Sequence, residues 1–507
     1  MPNRPKLNAD LLRSTAPRPS AVAFPPASVL DLPERVVQFG TGGFLRGFVE
    51  HFIEAANYAG SFDGRVVAIG STGSGRDDVV NRQDGLFTLV VEGMENARAI
   101  REFHLTSSLS RAIDATTDWN AVLDIARNPD LELVFSNTTE VGIEPDPDAT
   151  PSVPPRSFPG KLAVFLEERA REFDFSPDAG LTILPCELIE KNGERLKEIV
   201  VELAGRWSFD PRFSVWLNES VIFCNTLVDR IVPGEPSPQR RAELEDLLGY
   251  HDDLLTVCEP YRLFAIEGDA ANPALRFASA DRGVIVTDDI EPYRLSKIRL
   301  LNGAHSLLAP LALQCGATTV YEAVSDEAVG AYLRRTMYDE LVPSLDVPGV
   351  TGFARQVVER FSNPYLAHSL FDITLHGTKK MRVRVIPSIV EFHERERRVP
   401  DLIAFGFAAY LLFLRGEMHE ARRGAGLAVP PDDQAESIRA AWEASSDAAD
   451  VAHRVCGNES LWGIDLNRVG GFVDAVAAHL SEITRDGAHS ALEHLLYRSA
   501  QREGTTV

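Results

Sequence analysis

The segment Arg35-Val-Val-Gln-Phe39, which runs without a break into Gly40-Thr-Gly-Gly-Phe-Leu-Arg-Gly47, constrains the fold of this chain more than any other. Its apolar start predicts a short buried strand, and Phe44, Phe48 and Phe52, spaced four apart, predict a helix with one packed face. A strand that enters a helix through a glycine turn aims backbone N–H groups and a helix N-terminus at one spot, the arrangement that holds a dinucleotide pyrophosphate. Gly40 and Gly42 match the first two glycines of that pattern, while the third small position is Leu45, so a plain tight turn is the competing reading. A second apolar strand, Arg65-Val-Val-Ala-Ile-Gly70, follows at the distance a βαβ unit needs. It leads into Gly70-Ser-Thr-Gly-Ser-Gly-Arg76, with hydroxyls and a guanidinium but no acid before Asp77. The acid that usually grips the ribose hydroxyls of NAD is missing there, so NADP stays open beside NAD.

Two further apolar runs, Leu131–Phe135 and Leu181–Leu184, lead into the polar ends Ser136-Asn-Thr-Thr-Glu140 and Pro185-Cys-Glu-Leu188. Between them Phe158-Pro-Gly-Lys161 reads as a turn feeding a helix over 162–173. Strands alternating with helical stretches predict an α/β fold, a Rossmann-like doubly wound sheet with its ligand at the strand ends. From about residue 286 the pattern turns helical, as in 296–315, 327–341 and 402–414. The exception is Lys380-Met-Arg-Val-Arg-Val-Ile-Pro387, whose alternating basic residues predict a strand with one cationic face, lining an anion pocket or protecting a solvated edge. The expected domains are an irregular, proline-rich arm over 1–33, a dinucleotide-binding domain over 34–285 and a mainly helical substrate domain over 286–507.

A net charge of −23 argues against general binding of nucleic acid, which needs a basic field. The five cysteines are scattered, odd in number and free of Cys-x-x-Cys pairs, so neither a disulfide framework nor a zinc site is expected, and the compartment reads as reducing. No apolar leader is seen near the start, and the longest apolar run, Leu402 to Leu414, is too short to span a bilayer. A cytoplasmic protein that takes a small molecule is expected; oligomeric state is not legible.

The chemistry concentrates in Lys297-Ile-Arg-Leu-Leu-Asn302-Gly-Ala-His305. On an α-helix, at about 100° per residue, Lys297, Asn302 and His305 fall within one face, and Arg299 points elsewhere. An amine, an amide and an imidazole so placed suit proton exchange, alkoxide stabilisation and hydrogen bonding at one carbonyl. The bland alternative is a solvated lysine above two residues that satisfy backbone. Tyr293-x-x-x-Lys297 also spells the pair of short-chain dehydrogenases, but the glycine spacing and its place in the chain differ. His251, His368 and His376 read as structural or surface histidines.

Together Phe39-Gly-Thr-Gly-Gly-Phe-Leu-Arg46, Ser136-Asn-Thr-Thr-Glu140, Phe223-Cys-Asn-Thr-Leu-Val-Asp-Arg-Ile231, Lys297 to His305 and Glu359-Arg-Phe-Ser-Asn-Pro364 resemble the mannitol dehydrogenase family of polyol and hexuronate dehydrogenases, over about residues 34 to 490. Within it Ser157–Lys161, Pro185–Ile189 and Lys380–Pro387 look like the tagaturonate reductase branch. The resemblance implies zinc-independent, NAD(P)-dependent interconversion of a ketohexuronate and an aldonate, with a polyol or mannonate dehydrogenase, or an inactive nucleotide sensor, as alternatives. It implies a cofactor site at Phe39, Gly40, Gly42, Gly43, Phe44, Arg46, Ser136, Asn137, Thr138 and Glu140. It gives Lys297 the carbinol proton, Asn302 the alkoxide and His305 a substrate hydroxyl. Asp229 is a candidate hydroxyl contact, Asn225 and Arg230 are candidate substrate contacts, and Arg360, with Lys380, Arg382 and Arg384 in reserve, is the candidate for the carboxylate. Where mannitol enzymes place a second oxyanion amide this chain has Leu188, leaving Asn225 or a water to substitute.

Overall fold

The computed structural model describes residues 4–14, 22–71, 73, 75–138, 142–147, 150, 154–416, 431–432 and 434–504. The chain divides into two compact units, Met1–Glu95 with Ala99–Ile290, and Asn96–Arg98 with Glu291–Val507.

In the N-terminal unit six parallel strands form one sheet: β1 (Glu34–Phe39), β2 (Arg65–Gly70), β3 (Leu109–Asp114), β4 (Leu133–Ser136), β5 (Thr182–Pro185) and β6 (Ile222–Phe223). Their spatial order is 3-2-1-4-5-6, the order of dinucleotide-binding sheets, with the direction of winding reversing at β1 and β4. The side-chain alternation of a strand explains why both faces are covered. Val37, Phe39, Val67, Ile69, Val134 and Ile183 point into one apolar layer with Phe158, Leu162 and Phe165. Their neighbours Val36, Val66, Ala68, Leu133, Phe135 and Leu184 point into the other, with Phe48, Phe52 and Phe264. Runs of continuous apolar residues, read from sequence as buried strands, are therefore apolar on both sides because helices pack on both.

The helix after β1 is broken. α1 (Gly43–Gly47) has five residues and ends at Phe48, whose φ of −130° and ψ of −78° are not helical, before α2 (Val49–Ala59) resumes. The phenylalanine spacing thus spans two helices. α3 (Phe158–Glu172) begins four residues earlier than the sequence pattern suggested. Phe158-Pro-Gly-Lys161 is its first turn, because the Ser157 side chain accepts from the Gly160 N–H and Pro159 suits a position whose N–H needs no helical partner.

The C-terminal unit is helical. Its centre is α8 (Asp401–Arg415), buried along Leu402–Leu414, and Gly406 lets the Tyr332 hydroxyl approach where a side chain would collide. The start of α8 is capped from a distance: the Leu402 and Ile403 N–H groups donate to Glu340 at 2.9 and 2.7 Å. Around it pack α4 (Gly303–Gln314), α5 (Val350–Phe361), α6 (Gly377–Arg384) and α7 (Ile386–Glu396). No helix among the described residues is long and apolar enough to cross a membrane.

Candidate active site

In the N-terminal unit the ends of β1, β2 and β4 open on a cavity of about 750 Å³ lined by Phe39, Gly40, Thr41, Gly42, Gly70, Ser71, Arg76, Asn137 and Thr138, and by Glu144 to Pro147 and Arg156 to Phe158 with Lys161. The glycines are needed for different reasons. Gly40 has φ +133°, and a Cβ there would lie 2.9 Å from Leu45 Cδ1 and 3.1 Å from the Asn137 carbonyl oxygen. Gly42 has nothing within 4 Å of where a Cβ would stand, so the backbone there is open to a close-approaching ligand. The cavity's position at the switch point, its size and its bare backbone fit a dinucleotide.

Of the residues expected at the cofactor, Phe39, Gly40, Gly42, Asn137 and Thr138 line this cavity, and Glu140 lies outside the described residues. Phe44 stacks on Phe48 with ring centroids 5.0 Å apart. Gly43 opens α1. Arg46 is buried and donates to the Thr41 carbonyl at 2.8 Å and to Thr256 Oγ1 at 3.0 Å, so it shapes the glycine turn from behind. Ser136 is buried and donates to Glu187 at 2.9 Å. Glu187 also accepts from the Thr138 N–H at 2.9 Å and the Thr138 hydroxyl at 3.1 Å, which pins the loop after β4. Burial pushes its carboxyl pKa up against those bonds.

The expected substrate contacts in this unit are bound into its scaffold. The Asn225 amide N–H₂ donates to Glu194 and to Glu267, each at 3.0 Å, which uses both hydrogens. It therefore has none left for an oxyanion, and Leu188, 61% exposed, has none to offer. Asp229 is buried in a strand, Thr226–Asp229, paired with Leu263–Glu267. The Arg230 guanidinium is buried, tied to the Gly47 carbonyl at 2.7 Å and the Glu259 carbonyl at 2.9 Å. Arg230 thus anchors α1, while its Nη2 is buried without a hydrogen-bond partner among the described residues.

In the C-terminal unit the chemically loaded segment is not the plain α-helix its spacing suggested. Lys297–Asn302 forms a π-helical turn that passes into α4 at Gly303. An α-helix sets residues five apart about 140° from each other. A π turn bonds each residue to the fifth one on, which stacks Lys297 and Asn302 along one face, and such turns recur at functional sites. Two features hold the turn. Arg299, on another face as expected, donates to Ser388 Oγ at 3.2 Å and Glu391 at 2.9 Å. At Gly303 a Cβ would sit 3.2 Å from the Arg384 carbonyl oxygen, so glycine lets the end of α6 press against the turn.

His305 is buried one turn beyond. Its ring stacks on Phe361 with centroids 4.0 Å apart and meets the His368 ring edge-on at 5.1 Å. Nε2 is buried without a hydrogen-bond partner among the described residues, while the Leu301 backbone holds the other nitrogen. Burial drives its pKa well below the usual histidine value, and His368, Arg360 and Arg384 lower it further. The imidazole is therefore neutral, and a ring that donates to the Leu301 carbonyl leaves Nε2 as an acceptor. His368, read from sequence as ordinary, belongs to this cluster.

Lys380 to Arg384 is helical, not the strand the alternating charges predicted. The burial of Thr378, Met381 and Val385 at spacings of three and four shows which period won. In a helix Lys380 and Arg384 share a face and Arg382 leaves it. Lys380 donates to the Ile373 carbonyl at 2.9 Å, and burial and the Arg384 charge lower its pKa. Arg382 is exposed and reaches toward the Ser460 carbonyl at 3.5 Å. Arg384, a reserve candidate on sequence, stands beside His305: it contacts Ser306 Oγ at 3.4 Å and pairs with no carboxylate among the described residues.

The sequence profile of the mannitol dehydrogenase Rossmann domain matches residues 34–277, and that of the mannitol dehydrogenase C-terminal domain matches 289–484. The chain belongs to the mannitol dehydrogenase family. Among its relatives in that family, the altronate oxidoreductase of Bacillus subtilis (strain 168) is 39% identical over 466 residues, covering 91% of this chain and 95% of that protein. The altronate oxidoreductase of Pectobacterium carotovorum subsp. carotovorum (strain PC1) is 38% identical over 479 residues, covering 91% and 96%. The mannitol 2-dehydrogenase of Pseudomonas fluorescens, solved as a ternary complex with NAD and D-mannitol, is 27% identical, with a TM-score of 0.70 over 97% of this chain and 99% of that one.

For a member of the mannitol dehydrogenase family, two signals were missed in sequence: His368 and Lys161. Each is an ionisable residue beside an apolar or glycine step, a pattern too common to single out without the fold. Among the described residues Glu482, Asp486 and His494 are close enough to share a metal ion. Both carboxylates, however, are already paired with guanidinium groups, Glu482 with Arg498 and Asp486 with Arg485, each at 2.7 Å.

Proposed function

We propose that this chain is a zinc-independent, NAD(P)-dependent oxidoreductase that interconverts a ketohexuronate and an aldonate, with tagaturonate and altronate as its pair. The observation that carries the reading is the gathering of Arg360, Arg384 and His368 around a neutral, buried His305. A guanidinium matches a carboxylate in shape, and Arg384 pairs with no carboxylate among the described residues. A neutral polyol has no use for such a cluster. The family membership, and relatives named for altronate, point the same way.

A dinucleotide held at Gly40, Gly42, Asn137 and Thr138 would supply or accept the hydride. As hydride reaches the carbonyl carbon, the Asn302 amide donates a hydrogen bond to the oxygen on which charge develops, and the Lys297 ammonium hands it a proton. In the oxidising direction Lys297 takes the proton back. His305, held by the Leu301 carbonyl, accepts a hydrogen bond from a substrate hydroxyl and so orients the chain of the sugar acid. Arg360 and Arg384 hold the carboxylate, fixing which carbonyl faces Lys297. Five unpaired cysteines suit a reducing compartment, and we place the protein in the cytoplasm.

The test is the initial rate of NADH and NADPH oxidation with tagaturonate, fructuronate and fructose in parallel. Tagaturonate should win in kcat/KM by about 10-fold or more over neutral fructose, the scale of one charge-assisted contact. Preference for fructose would move the chain to the polyol branch. Binding of NADH without turnover of any of the three would make it a nucleotide sensor.

A further inference from the structure

We propose that Lys161 is the cation that neutralises the pyrophosphate of the dinucleotide. The assignment rests on the oxidoreductase reading above and goes beyond it, because nothing in the glycine motif points to a residue more than a hundred positions downstream.

The glycine turn is short of positive charge. In such turns the helix that follows supplies it through the sum of its peptide dipoles. Here α1 has five residues and stops at Phe48, so few dipoles add. Arg46, the nearest guanidinium in sequence, is spent on the Thr41 carbonyl and Thr256. Two phosphate charges over Gly40 to Gly42 therefore need a partner from elsewhere in the cavity wall.

Lys161 stands in that wall with Gly40, Thr41 and Gly42. It is 4% exposed. Its Nζ donates to the Arg156 carbonyl at 2.9 Å and pairs with no carboxylate among the described residues. Two features oppose the charge. Burial lowers its pKa, and it sits in the first turns of α3, the positive end of a fifteen-residue helix where a cation is disfavoured. A buried ammonium with one carbonyl for three N–H donors is costly to keep unless an anion completes it. The anion that belongs in this cavity is the diphosphate. The same position explains why Ser157-Phe-Pro-Gly-Lys161 is built as a capped helix start: the cap and Pro159 fix the turn, and Phe158 against Phe39, with centroids 5.1 Å apart, fixes it to the end of β1.

The experiment is calorimetric binding of NADH, ADP and adenosine to the full chain and to Lys161→Met and Lys161→Arg, with the melting temperature of each unliganded protein. Losing one charge-assisted contact should weaken NADH and ADP about 10- to 100-fold in Lys161→Met, leave adenosine unchanged, and be largely restored in Lys161→Arg. The unliganded Lys161→Met protein should melt no lower than the wild type, since an unmatched buried charge has gone. Equal weakening of ADP and adenosine with a lower melting temperature would assign Lys161 to the scaffold and overturn the proposal. So would unchanged ADP affinity with a raised KM for the sugar acid, which would give the ammonium to the substrate. If the wild-type protein binds no NADH, the oxidoreductase reading itself fails, a result distinct from either.

Discussion

Buried Arg169 of the N-terminal unit and half-buried Arg384 of the C-terminal unit are held in opposite ways. In the N-terminal unit Arg169 is buried and donates to the carbonyls of Ala179, Ala126, Asn128 and Leu131 at 2.7 to 3.2 Å. Arg65 likewise serves Ser107, Leu30, Asp84 and Leu109. These side chains stitch loops to strands, and each makes four hydrogen bonds with its five N–H donors. In the C-terminal unit Arg384 has a single hydroxyl at 3.4 Å, and it, Arg360 and His368 act on the same imidazole. Charge alone does not mark a functional residue. What separates scaffold from site is whether the donors already have acceptors, since an unmatched buried donor is expensive and persists only where something else rewards it.

The sharpest way to break this contrast is at the π turn. Lys297→Met should lower kcat by roughly 10²- to 10⁴-fold and Asn302→Ala by roughly 10²- to 10³-fold, the usual scales for a lost general acid and a lost oxyanion donor. Melting temperatures should stay near wild type, because both side chains are only partly buried. Loss of activity that tracks unfolding would return the turn to the scaffold.

A smaller effect separates the basic residues of α6. Arg384→Met should raise KM for the sugar acid by about 10- to 100-fold, the worth of a partly buried charge-assisted pair, with a much smaller effect on kcat. Arg382→Met, an exposed residue two positions away, should change KM by less than about twofold. Equal effects at both positions would mean a diffuse basic field, and the distinction drawn here between matched and unmatched donors would lose its force. Salt decides the same point, because a diffuse field is screened and a buried pair is not.

How far the sequence carried can be judged at particular residues. The parallel sheet was legible because β1, β2, β4 and β5 are short apolar runs ending in glycine or polar residues, and that pattern has few other solutions. Gly40 and Gly42 were legible as a pair of glycines beyond a strand. Lys380 to Arg384 misled, since charges alternating over five residues satisfy a two-residue period on one side while Met381 and Val385 satisfy a helical one on the other. Burial of the apolar pair outweighs where the charges go. Arg230 shows a different gap: the guanidinium that a motif suggests for a substrate also donates to the Gly47 carbonyl, a contact 183 positions distant that no local pattern carries. The π turn was hidden because residues five apart are neighbours only when the ladder slips, and the sequence of Lys297 to Asn302 suits an α-helix just as well.

The mildest effect concerns the converse case, a buried acid in the C-terminal unit. Burial pushes the Glu340 carboxyl up to about 8, even though it accepts the Leu402 and Ile403 N–H groups at the start of α8. In the unfolded chain the same group titrates near an ordinary glutamate, about 4.3. Between those values the folded state holds a proton that the unfolded state has lost, so stability falls as pH rises from about 4.3 to 8 and levels off above. Glu340→Gln cannot ionise and should lack this fall. The amide keeps one carbonyl acceptor for two N–H donors, which costs about 1 kcal/mol at pH 5, where the variant melts below the wild type. By pH 8.5 the gap should close or reverse. A gap that stays constant from pH 5 to 8.5 would mean that the two N–H groups hold Glu340 ionised throughout, and that its carboxylate is matched as fully as the guanidinium of Arg169.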